Sequence, residues 1–321
     1  MIESPPAHHP PGGRIVRAAA AFGAGGVVAV QGRINGELGA VTGNGVLAAA
    51  LNFGVGLSLL LVIIAARGSA RRAVRSLPGL VRSRRLPWWV LGGGLAGALY
   101  VSGQGVTIDA LGVALFTVAT VAGQTGLSLI VDRYGLGPTG AVPVTLARVL
   151  AAVLATAAVW IASSGRGDGG GGSRAFLLLA FLAGAAVAFQ AAFNGRVAVA
   201  TGEPTVAALV NFVVGLTVLM TVLAVQALAA DGAAGSLAPV ADQPWLLVGG
   251  FMGLLFVVTA AWTVRALGVL LFSLVVLAGT LIGAVAVDVV LPTEGAQITA
   301  NLLVGIALTA MSVGLAVLRR R

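Results

Sequence analysis

The chain has 321 residues, 58% of them hydrophobic and only 9% charged, against roughly 25% charged in soluble domains. Its net charge of +9 comes from 19 basic residues, all arginine, clustered in short stretches between apolar runs; that arrangement fits membrane topology and argues against a nucleic-acid surface. The absence of cysteine excludes disulfides and thiolate sites, and the absence of a P-loop excludes ATP drive within the chain, so no cofactor or metal is expected.

Residues 1–13 hold four prolines and both histidines, His8 and His9, and read as a disordered tail. The apolar stretch after Arg14 and Arg17 lacks a convincing cleavage site and reads as a retained helix. A bilayer-spanning helix needs about 20 apolar residues. Ten segments qualify: 15–38, 46–66, 87–107, 110–131 and 142–162, then 175–197, 205–229, 244–264, 267–290 and 297–318. They predict an all-α polytopic membrane protein. A first five-helix repeat occupies 14–162 and a second 175–321, joined across 163–174 by a flexible glycine-rich linker.

The halves repeat in sequence. At an offset of 159, residues 31–57 show 12 identities over 27 positions, among them Gln31/Gln190, Asn35/Asn194, Asn52/Asn211 and Phe53/Phe212. At an offset of 156, residues 110–132 show 10 identities over 23 positions, ending at Asp132/Asp288. Seven arginines between 67 and 85 mark that loop as cytoplasmic, and ten crossings then put both termini inside. Five helices per half is odd, so the second half is expected upside down. The sign changes at Glu37/Arg196 and Asp109/Arg265 agree, as does the arginine-free loop at 230–243.

Inverted repeats are the usual frame of secondary transporters, with a site near the membrane midplane. The apolar runs of the first and sixth helices stop at Val30 and Phe189, before QGRINGE and QAAFNGR, and these matched interruptions point to a pathway. Gln31 and Asn35, like Gln190 and Asn194, share one helix face and offer amide donors and acceptors together. They either bind substrate or serve as interhelical glue. Gln104 and Gln124 are further candidates for a cavity lining. Asn52 and Asn211, each four residues before a glycine, read as packing, as do the clusters Gly92, Gly93, Gly97 and Gly249, Gly250, Gly253. Asp132 and Asp288 are candidates for coupling or gating, beside a capping or ion-pair role; Arg148 reads first as snorkelling to the inner surface, with a substrate anion or Asp132 as the alternative partner.

Several blocks together are familiar: Gln31 with Asn35 and Gly36, NFGVG at Asn52, PWW at Pro87, GALYV at Gly97, LGVALFTVATVAGQ at Leu111 and VDRYGLG at Val131. The chain resembles the YdcZ-like branch of the drug/metabolite transporter superfamily, in a form with both five-helix units fused. In the second half Thr280 stands at the position of Gln124, and VDVVLPTEG lacks the aromatic-glycine element. The resemblance implies gradient-driven export or exchange of a small organic solute in a bacterial inner membrane. The implied partners are the lipid bilayer, an unidentified solute and a coupling ion. The alternative is a non-transporting membrane partner or a channel-like subunit. An enzyme is disfavoured, because the apolar segments carry no histidine, cysteine or carboxylate cluster.

Overall fold

In hydrocarbon a backbone amide has no water to bond, so apolar runs that cross it must be helical or form a closed barrel. The computed structural model describes residues 11–138, 140–164, 170–229 and 235–318, and no strand occurs among them. In the first half α1 (Pro11–Thr42), α2 (Gly45–Ala66) and α3 (Gly68–Arg82) lead through a 3-10 turn at Trp88–Gly92 into α4 (Gly93–Leu111), α5 (Val113–Arg133) and α6 (Leu146–Ser164). In the second, α7 (Gly170–Thr201), α8 (Pro204–Ala229) and the short α9 (Ala238–Asp242) precede a 3-10 turn at Pro244–Leu247, α10 (Val248–Val290) and α11 (Ala300–Leu318).

Among the described residues seven stretches are long and apolar enough to cross a membrane: Ile15–Thr42, Gly45–Ala66, Val113–Arg133, Leu146–Ser164, Arg174–Thr201, Pro204–Ala229 and Leu271–Val290. Pro244–Phe256 and Ala300–Ala316 are shorter apolar helices. The protein is therefore a multi-pass membrane protein. The segment expected to cross at 87–107 falls largely in α4, whose glycines, serine and glutamine dilute its apolar character.

Local chemistry sets the corners. Gly43 and Gly202, at φ +66° and +68°, follow α1 and α7 in the left-handed conformation that closes a helix without a Cβ clash. Asn44 then caps α2, its Oδ1 accepting from the Val46 and Leu47 amides at 2.9 and 3.2 Å.

Four expectations need correction. Residues 11–13 of the supposed tail belong to α1, and 1–10 lie outside the described residues. Likewise Gly170 to Ser173 of the supposed linker start α7, while 165–169 lie outside. The 67–86 loop contains a helix, α3, because Ala70, Ala73, Val74, Leu77, Leu80 and Val81 recur at helical spacing; all but Ala70 pack on the α7–α8 corner, and Ala70 packs on Leu60 and Ile64 of α2. Finally, α1 and α7 run unbroken through the polar stretches after Val30 and Phe189, so those runs are not interruptions of the helix.

Helical structure is also continuous over Val248–Val290, where two spans were expected. A straight helix of 43 residues would be about 65 Å long, twice the hydrocarbon thickness. Its contacts show that it is not straight. Gly249 faces Asn35 and Gly253 faces Gln31, so the first arm runs antiparallel to α1; Gly279 faces Phe22 and Gly283 faces Gly26, so the last arm runs parallel to it. α10 thus reverses between Gly253 and Val276. α4 and α5 meet at Gly112, whose φ of +78° allows the turn, and they lie on α7 in the same two senses: Gly93 on Asn194 and Gly97 on Gln190, then Thr120 on Gly184 with Val131 beside Ala192.

The halves interleave, with α1 on α10, α7 on α4 and α5, α2 on α8 and α6 on α11. At the centre Phe53 and Phe212 meet edge to face at 5.2 Å, each ring against the other half's glycine, Gly215 and Gly56 respectively. The largest buried cluster surrounds the first turns of α5, including Leu115, Phe116 and Val118.

Candidate functional site

Two groups of amides flank the Phe53–Phe212 contact. In the first, Asn35 is fully buried on α1 and its Nδ2 donates to Gln104 Oε1 on α4 at 2.7 Å. Asn52 on α2 donates from Nδ2 to the Ala48 carbonyl at 3.2 Å. Among the described residues the side-chain oxygens of Asn35 and Asn52 have no hydrogen-bond partner, although both are buried. Both oxygens point at one residue of the other half, lying 2.6 and 2.5 Å from where a Cβ would stand on Gly249. One turn further along α10, the corresponding position on Gly253 is 3.1 Å from Gln31 Nε2.

The second group repeats this plan on the opposite glycines. Gln190 Nε2 donates to Asn211 Oδ1 at 3.0 Å. A Cβ on Gly97 would lie 2.8 Å from Gln190 Nε2 and 3.1 Å from Asn211 Nδ2, and one on Gly93 would lie 2.9 Å from Asn194 Oδ1. Each half therefore presses its amides onto the other half's paired glycines, Gly93 and Gly97 or Gly249 and Gly253. Only glycine leaves room for side-chain amides to seat against a helix backbone.

The symmetry is incomplete. Phe256 and Ala260 stand at the positions of Tyr100 and Gln104, so Gln104 has no amide counterpart in the second half. The two groups also differ in saturation. Each group holds one amide-to-amide hydrogen bond, but among the described residues the first also leaves two buried acceptors open, each costing about 1–3 kcal/mol while unpaired.

The remaining sequence candidates lie elsewhere. Gln124 is exposed on α5 and makes no hydrogen bond to either group. Asp288, 4% exposed, accepts from the Val113 and Ala114 amides at 2.8 Å each, capping α5 from the far half. Beside it the Gly295 amide donates to the Asp109 carbonyl at 2.9 Å, and Thr293 donates to the Ile108 carbonyl at 3.3 Å. Asp132 forms an ion pair with the buried Arg148, whose Nη1 also donates to the Pro143 carbonyl at 3.4 Å. The matched aspartates thus have different partners.

Sequence reading favoured packing for Asn52 and Asn211, and both lie within the amide groups, seated on Gly249 and Gly97. The missing signal was the glycine spacing: Gly93 and Gly97 recur at an offset of 156 as Gly249 and Gly253, in register with amides that recur at 159.

The family model described as "Putative inner membrane exporter, YdcZ" matches residues 16–161 and again 175–315. The chain belongs to the YdcZ family. It carries two copies of the YdcZ unit, one in each half, and the described glycine-docked amides fall one group to each copy's α1–α2 or α7–α8 pair. No curated protein matches the chain.

Arginines tie the ends of the two long helices to matched loops. Arg33 Nε donates to the Leu291 carbonyl at 3.0 Å and its guanidinium pairs with Glu37 at 2.9 Å. Arg196 donates to the Gly135 carbonyl at 3.0 Å and lies 5.4 Å from the Trp89 ring centroid. Positions 135 and 291 are equivalent in the two YdcZ units, although the arginines that reach them are not.

Proposed function

We propose that this YdcZ-family chain is a secondary transporter of ten spans, in which two inverted five-helix halves move a small organic solute by alternating access with both termini cytoplasmic. The observation that carries this reading is the reciprocal docking of Gln31, Asn35 and Asn52 on Gly249 and Gly253, and of Gln190, Asn194 and Asn211 on Gly97 and Gly93. Matched contacts across a two-fold arrangement can exchange strength as the halves rock, one opening while the other closes. Gln31, Asn35, Gln104, Gln190 and Asn194 are the proposed solute contacts, and Asn52 and Asn211 join them. The open acceptors on Asn35 and Asn52 suit a solute that brings N–H or O–H donors. Gln124 is not part of this proposed site. The solute's own gradient or an ion gradient supplies the drive, and Asp132 and Asp288 hold the helix ends between which the halves move.

The test uses the cysteine-free chain. Single cysteines at Asn35 and Asn194, in reconstituted vesicles, are expected to react with a membrane-impermeant maleimide from opposite sides, and solutes that are transported in a flux screen should shift the two rates in opposite directions. Inaccessibility of both positions from both sides, across every solute that gives flux, overturns the assignment.

A further inference from the structure

We infer that the arginine face of α3 is a docking surface for anionic phospholipid headgroups. All seven arginines between 67 and 85 are exposed, and no acidic residue lies between them. At about 100° per residue, Arg71, Arg72, Arg75 and Arg82 fall within an arc of roughly 100°. The opposite face, Ala73, Val74, Leu77, Leu80 and Val81, packs on Val197, Val206, Ala207 and Val210 of α7 and α8, and Ala70 packs beside it on Leu60 and Ile64 of α2. The protein therefore covers the apolar side of α3 and leaves its cationic side facing outward. Among the described residues, only Arg67 of the seven has an ion-pair partner, Glu203 at 3.7 Å.

Covering the α7–α8 corner does not require these charges. The corresponding α1–α2 corner is covered by Val240 and Leu246, which pack on Ile34, Leu38 and Ala48 with a five-residue helix, α9. There Ser236 donates its amide to the Thr42 carbonyl at 2.9 Å, and Asn44 Nδ2 donates to Gln226 Oε1 at 2.9 Å, with no arginine involved. Packing of the apolar face turns the arginines outward, and retention of positive charge on the cytoplasmic side places that face beside the anionic leaflet.

Depth agrees with the occupant. Trp88, 75% exposed, follows α3 directly, and an exposed tryptophan at a helix end sits at headgroup level. Guanidinium groups bind phosphate with paired N–H donors, and near an anionic leaflet each adds about 1 kcal/mol, or about fivefold in affinity.

The test is equilibrium lipid binding, which needs no flux and so can fail independently of the transport reading. Purified protein is placed in nanodiscs of phosphatidylcholine with or without phosphatidylglycerol, and the lipids retained on release are quantified by native mass spectrometry. Wild type is expected to retain phosphatidylglycerol preferentially. Replacing Arg71, Arg72, Arg75 and Arg82 together by Gln should lower that preference by at least about tenfold, while the four Arg→Lys changes keep most of it. If the quadruple Gln variant does not fold, Arg75→Gln with Arg82→Gln gives the same reading at roughly a quarter of the preference or less. No preference in wild type, or an undiminished one in the Gln variants, overturns the inference.

Discussion

Gly249→Ala is the sharpest probe of the amide docking. The added methyl would stand 2.5 Å from Asn52 Oδ1 and 2.6 Å from Asn35 Oδ1, so each contact must open by roughly 0.8–0.9 Å to reach ordinary separation. Asn35 cannot simply rotate away, because its Nδ2 is held by Gln104 at 2.7 Å. Overpacking of this kind costs about 1–3 kcal/mol, offset by up to about 1 kcal/mol of helix propensity on replacing glycine. Gly93→Ala meets only Asn194 Oδ1, at 2.9 Å, and should cost less. Gly126→Ala, with nothing within 4 Å on α5, should be neutral or stabilising by up to about 1 kcal/mol. The apparent Tm in detergent is expected to fall in the order Gly126→Ala, Gly93→Ala, Gly249→Ala, with a spread of roughly 5 °C or more at about 2–4 °C per kcal/mol. Equal Tm values for Gly249→Ala and Gly126→Ala would refute the docking geometry.

Other perturbations separate the two aspartates. Asp288→Ala removes both side-chain acceptors at the start of α5 and should cost about 1–2 kcal/mol, read as a lower Tm, with Asp288→Asn losing less. Arg148→Met leaves Asp132 without its buried partner and is expected to cost about 3–5 kcal/mol; adding Asp132→Asn should recover a large part of it, and a double variant no better than the single speaks against the pair. Arg67→Gln removes an ion pair whose arginine is half exposed, so unfolding should shift by less than about 1 kcal/mol. Impermeant labelling of cysteines placed in 67–86 and in 235–243 should modify opposite sides of intact cells, and same-side labelling sinks the inverted reading.

Composition and apolar run length were enough to read a membrane-embedded helical chain, because the bilayer admits few other backbone solutions. The internal repeat identified the YdcZ unit in each half, since sequence identity between Gln31 and Gln190 or Asn35 and Asn194 needs no coordinates to be seen. Three features were illegible for physical reasons. α3 was hidden by Pro78 and by arginines that make the segment polar on average, although its apolar face follows helical spacing. The breaks expected at Val30 and Phe189 do not occur, because amides bonded to other side chains let a helix pass through a polar stretch intact. That Gln124 is exposed and Asn52 buried could not be read either, since rotation about a helix axis follows from packing and not from residue type. Sequence by itself determined that amides and paired glycines recur in each half. Only the tertiary structure decided that each half's amides rest on the other half's glycines, because contacts between residues roughly 90 to 220 positions apart depend on how helices interleave and leave no trace in local periodicity.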